Sequence, residues 1–126
     1  MISILLIEPG QLTLDQLQAI HSGVRQLTLP ESSRAVIRAS QQVVQRAADG
    51  DAPVYGVNTG FGKLANQRIS KAQLDTLQLN LLRSHSVGVG EPLAPEIVRL
   101  MLALKAASLA RGHSGVREVV IDTLLA

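Results

Sequence analysis

The hydrophobic period changes repeatedly along the chain, and each change marks an element. The apolar, β-branched run at residues 2–7, ISILLI, reads as one short strand, broken by Pro9-Gly10. Thr13 and Gln16 have the spacing of a capping box. Leu17, Ile20, Val24 and Leu27 then recur every three or four residues, the stripe of an amphipathic helix. Gly23 inside that stripe predicts that the helix ends or weakens there. A second helix is predicted from Pro30, whose missing N–H costs nothing in a first turn, with Glu31 near the positive end of the dipole. Val36, Ile37, Val43, Val44 and Ala47 form its stripe, and Gly50 stops it.

Past Gly50 the periodicity vanishes. The Gly-rich stretch at 53–65, PVYGVNTGFGKLA, predicts a loop with a short extended piece at Val54-Tyr55. Ser70 and Gln73 repeat the capping-box spacing, and Leu74, Leu77 and Leu81 run along a helix to about His85. Residues 86–95 are a break. Pro95 and Glu96 open a helix whose apolar residues, among them Ile97, Val98, Leu100, Met101, Leu102, Leu104 and Leu109, go nearly all round, so it expects neighbours on most sides. Gly112 ends it, Ser114 is read as the next cap, and Val116, Val119, Val120 and Leu124 begin a last stripe. The fold class is therefore mainly α, with a short N-terminal strand and a Gly-rich loop. Apolar residues continue to Ala126 without a stop signal, which predicts that residues 1–126 are the N-terminal piece of a longer helical protein.

Composition sharpens this picture at a few points. Aromatic content of 2% leaves a core of Leu, Ile, Val and Ala, which favours helices packed closely through small side chains. The formal charge of +2 is spread without a basic run, so nucleic acid is not an expected partner. The chain has no cysteine, which excludes disulfides and thiolate metal sites and agrees with a reducing cytoplasm. The apolar start lacks the features of a secretory signal, and the stretch at 97–110 is interrupted by Arg99 and Lys105, so a soluble, cytoplasmic protein with no membrane partner is expected.

The single tyrosine and single phenylalanine, Tyr55 and Phe61, both lie in the glycine loop. The loop fails as a Walker A motif, because Gly62-Lys63 is followed by Leu64 and Val57 stands where the first glycine belongs. Gly60, Gly62 and Ala65 match a relaxed dinucleotide pattern, but without the strand, helix and downstream acid that give it meaning. Two readings stay open: a surface turn with Phe61 tucked onto the core, or a lid with Gly56, Gly60 and Gly62 as hinges that delivers Tyr55 to a site. His85 likewise is either a core-facing continuation of the leucine stripe or a site residue at a helix end. His21 and His113 lack ligand spacing with it, so no metal site is assigned.

Three segments, YGVNTGFGKLA at 55–65, LQLNLLRSHSVGVG at 77–90 and LKAASLARGHSGVR at 104–117, resemble in order and spacing the N-terminal region of the histidine ammonia-lyase family, within the wider aromatic amino-acid ammonia-lyases. The pair Ser84-His85 resembles the histidine-specific variant. This resemblance implies elimination of ammonia from L-histidine to give urocanate, with a homotetrameric full-length enzyme. It implies that Tyr55 is the base or positions substrate, and that His85 binds the imidazole side chain. It also implies an autocatalytic methylidene-imidazolone cofactor made from Ala-Ser-Gly, a tripeptide absent from these 126 residues. The expectation for the chain alone is inactivity. The other readings are a non-catalytic helical binding module and a lyase or aminomutase for another aromatic amino acid.

Overall fold

The computed structural model describes residues 4–23 and 26–126. Its described residues form five α-helices, one 3-10 turn and two three-residue strands, the mainly α architecture expected. In order these are β1 (Ile4–Leu6), α1 (Leu14–His21), β2 (Gln26–Thr28), α2 (Glu31–Asp49), the 3-10 turn Gly62–Leu64, α3 (Lys71–His85), α4 (Pro95–Leu109) and α5 (Glu118–Leu125). They fall into two compact units, one of residues 1–42 and 92–126, the other of residues 43–91.

In the first unit, β1 and β2 pair in parallel, Leu5 opposite Leu27, with α1 as the crossover. The Ile7 N–H donates to the Thr28 carbonyl at 2.8 Å and extends the ladder past the strand ends. α1 begins as its sequence predicts: Thr13 Oγ1 accepts from the Gln16 N–H, and the Gln16 side chain accepts from the Thr13 N–H. It ends before Gly23, which adopts φ +100°. Leu27 therefore belongs to a strand and not to the helical stripe; Val24, also expected in that stripe, lies outside the described residues. A three-residue strand carries too little period-2 signal to override a 3–4 residue spacing, and its partner strand is what selects it.

α2 starts behind Pro30 and closes at Gly50, whose N–H donates to the Arg46 carbonyl. Ser33 and Ile37 are buried and Val44 and Ala47 partly buried, so the predicted stripe holds at Ile37, Val44 and Ala47, whereas its members Val36 and Val43 are about half exposed. α4 buries Ala103, Ala106, Ala107 and Leu109 on one side only, and leaves Ile97, Met101, Leu102 and Leu104 exposed in this chain. The core joins Ala106, Ala107 and Leu109 to Ile7, Leu29, Ile37, Ala110 and Ile121. Three alanines in it let backbones approach closely, the solution open to a chain without large aromatics.

The N-cap of α5 is Arg117, not Ser114, whose neighbour Gly115 instead donates its N–H to Ser40 Oγ at 3.0 Å. α5 is joined to α2 by charges: Arg34 reaches Asp122 at 3.0 Å, and Glu118 accepts from both Arg34 and Arg38. Arg99 of α4 donates to the carbonyls of Ile20 and His21, satisfying the end of α1 from a neighbouring helix. Ile37→Ala should lower stability in urea unfolding by about 2–4 kcal/mol, the range for emptying a closed core site, whereas Val36→Ala should cost under about 1 kcal/mol. Equal losses would contradict this assignment of the α2 face.

Candidate functional site

The second unit holds the glycine loop and α3, and Asn58 organises the loop. Its side chain is buried at 1% exposure, and every polar group on it is used. Oδ1 accepts from the Val54 N–H at 2.7 Å; Nδ2 donates to the carbonyls of Ala47 and Ala52, both at 3.0 Å. The Asn58 carbonyl accepts from the Ile69 N–H at 2.9 Å, so one residue ties the entry, centre and exit of the loop together. Thr59 and Arg68 form a single antiparallel bridge. Outside this knot, Lys71 contacts Asp49 at 2.6 Å, while Arg68 contacts Asp51 and the Gly50 carbonyl, closing the loop at its base.

Tyr55 sits at the corner of a tight turn, because the Val57 N–H donates to the Val54 carbonyl and Gly56 takes φ +73°. A left-handed third residue is what a type II turn demands. The expected extended piece at Val54-Tyr55 is thus a turn, formed because Asn58 draws the Val54 N–H inward. Tyr55 is 64% exposed, and its ring meets Phe61 edge to face, with centroids 6.0 Å apart. Gly60 is required for another reason: a Cβ there would lie 2.5 Å from Leu64 Cβ. Gly62 takes φ +58° at the start of the 3-10 turn.

α3 half-buries Leu74, Leu77 and Leu81, as its stripe predicts, but His85 departs from that face and is exposed. The core-facing reading of His85 is corrected: the helix ends there, and the imidazole folds back onto its own last turn. Nδ1 lies 3.0 Å from the Leu81 carbonyl and 2.9 Å from Ser84 Oγ, which itself donates to the Leu81 carbonyl. At the other end, Ser70 precedes α3 without the capping-box contact; its hydroxyl turns to the Gln73 side chain instead. Among the described residues no hydrogen bond joins Tyr55 to His85, and no cluster of His, Cys, Asp or Glu has a metal-binding arrangement. No described helix is long and apolar enough to cross a membrane. An open apolar recess of about 430 Å3 lies in the other unit, lined by Leu27, Val98, Arg99, Leu102 and Leu124, and includes neither candidate residue.

Asn58 is the residue that sequence reasoning missed. The available signal was an Asn two positions before glycine, the pattern of a side chain that replaces backbone partners in a turn.

The chain belongs to the aromatic amino acid lyase family, whose profile matches residues 12–126. Within that family it is 53% identical over 122 residues to histidine ammonia-lyases of Paracidovorax citrulli and Rhodospirillum rubrum, in each case 97% of this chain. The chain spans about a quarter of the length of these curated relatives, 24% of each. Its fold matches the crystal structure of histidine ammonia-lyase from Trypanosoma cruzi with TM-score 0.87 and 38% identity, over 98% of this chain and 24% of that one. A tyrosine aminomutase from Streptomyces globisporus matches with TM-score 0.86 and 30% identity, over 98% and 23%.

The Lys71 ammonium, helped by Gln45, holds the Asp49 carboxyl below its ordinary value of 3.8, and Asp49 raises Lys71 above 10.5. The carboxylate's contribution is present above 3.8 and lost as pH falls through its lower folded value. That of the ammonium is present below 10.5 and lost as pH rises through its higher folded value, so the clasp holds across neutrality. Asn58→Asp keeps the shape but turns an acceptor toward two carbonyls. It should lower the unfolding free energy of the second unit by about 3 kcal/mol or more. Fluorescence anisotropy of Tyr55, the sole tyrosine in a chain without tryptophan, should fall with it; unchanged anisotropy would remove Asn58 from control of the loop.

Proposed function

We propose that this chain is the tyrosine-bearing N-terminal part of a histidine ammonia-lyase, a cytoplasmic homotetramer when full length, which eliminates ammonia from L-histidine to give urocanate. The observation that carries the reading is 53% identity to histidine ammonia-lyases across 97% of the chain, with the Ser84-His85 pair inside the matched region. In this reading Tyr55 is the base that takes a proton from the side-chain methylene of the substrate, or orients that group. A hydroxyl at an exposed turn corner, bonded to no described residue, is free to approach a bound molecule. Gly56, Gly60 and Gly62 are the loop positions through which such an approach would be adjusted. His85 receives the imidazole of the substrate.

The family's methylidene-imidazolone group does not fit the residues present. The two Ala-Ser pairs, Ala39-Ser40 and Ala107-Ser108, are followed by Gln41 and Leu109 and not by glycine, and both lie inside helices. Ring closure needs the following backbone nitrogen to reach the alanine carbonyl, which a hydrogen-bonded helix prevents. The 126 residues alone should therefore produce no urocanate.

A chimaera tests the assignment: residues 5–126 replace the matching segment of the Paracidovorax citrulli enzyme, and urocanate formation is followed by absorbance. The chimaera should be active, and Tyr55→Phe should cut kcat by roughly 10²–10⁴, the range for a lost acid–base group. His85→Leu should reduce the rate on L-histidine relative to L-phenylalanine by roughly tenfold or more. Near-normal turnover by the Tyr55→Phe chimaera would remove Tyr55 from the chemistry. An unchanged substrate ratio would favour a lyase or aminomutase of another amino acid.

A further inference from the structure

A carbonyl oxygen can only accept a hydrogen bond, so a ring nitrogen held 3.0 Å from one must carry a proton. His85 Nδ1 stands at that distance from the Leu81 carbonyl, at the end of α3. Ser84 Oγ lies 2.9 Å from the same nitrogen and spends its own proton on the same carbonyl, 3.0 Å away. With that proton committed, the hydroxyl faces Nδ1 with a lone pair. The opposite arrangement, Nε2–H with a bare Nδ1, would set two lone pairs against each other at Leu81. Nε2 has no hydrogen-bond partner among the described residues.

From this we infer that Ser84 is a positioning residue: with the Leu81 carbonyl it fixes neutral His85 as the Nδ1–H tautomer and leaves Nε2 as an exposed acceptor. The inference rests on the reading of His85 as the contact for the substrate side chain. It deepens that reading by assigning the polarity of the contact. An acceptor at this point selects side chains that present a donor, such as a ring N–H, and gives a plain phenyl ring nothing to bind. The carbonyl alone leaves one partner for the Nδ1 proton; the hydroxyl supplies the second and orients the ring.

The test reads the tautomer directly, by long-range 1H–15N correlation of the 15N-labelled 126-residue chain at about pH 9, above the ordinary imidazole range. The His85 signals are identified by their loss in His85→Gln. The expected spectrum shows a protonated Nδ1 and an unprotonated Nε2. Ser84→Ala should shift the population toward Nε2–H, and Ser84→Thr, which keeps the hydroxyl, should restore the wild-type pattern. A wild-type ring protonated at Nε2 would overturn the proposal. So would a Ser84→Ala spectrum identical to wild type. In the chimaera, Ser84→Ala should raise KM for L-histidine roughly tenfold, the value of one hydrogen bond, with a smaller effect on kcat. The spectrum decides the tautomer. If it is as expected but that KM does not move, the placing of substrate against His85 fails instead.

Discussion

The second unit depends on one primary amide. Asn58 supplies three hydrogen bonds from a buried side chain to backbone groups at Ala47, Ala52 and Val54, groups that a loop of this length would otherwise have to expose to water. With them satisfied, the glycine loop becomes a folded object with its own interior. The cost of burying the amide is offset because no buried side-chain nitrogen or oxygen among the described residues lacks a partner. Tyr55 is held at its corner by this arrangement: the Val54 N–H goes to Asn58 and the Val54 carbonyl to Val57, so the tyrosine between them sits on a defined turn. Loop order and tyrosine placement are thus one problem, solved three residues downstream of the tyrosine.

The first unit solves a different problem, how to build a core without aromatic bulk. Alanines on α4 admit Ile7, Ile37 and Ile121 at close range, and a parallel strand pair joined through α1 fixes the chain entering α2. The polar contacts here are long-range: Arg99 finishes α1, and Glu118 gathers two arginines of α2. Arg34 and Glu118 are partly exposed, so these pairs set the register of α5 more than they add stability.

Much of this was legible in the sequence, for identifiable reasons. Thr13, Pro30, Gly50 and Pro95 mark helix ends through local chemistry, and local chemistry survives folding. Leu27 and Ser114 misled because what decides them is a distant partner: the β1 strand, and a turn held by Ser40. His85 continues an apolar spacing, yet it lies on the last turn of its helix, where the side chain can fold back on a terminal carbonyl. Tyr55 stands out by its rarity, and both Tyr55 and His85 by family resemblance. Neither periodicity nor composition assigns them a role, and Ser84 acquires one only when its distance to Nδ1 is known.

Native-state hydrogen exchange at the amides of Val54, Gly60 and Ile69 tests the central claim, that the loop is a structure built on Asn58. The account predicts that all three exchange roughly a hundredfold or more slowly than in a free peptide and lose protection together when Asn58 is replaced by Asp. Exchange at free-peptide rates in the wild-type chain would contradict it, and the turn that places Tyr55 would then need another origin.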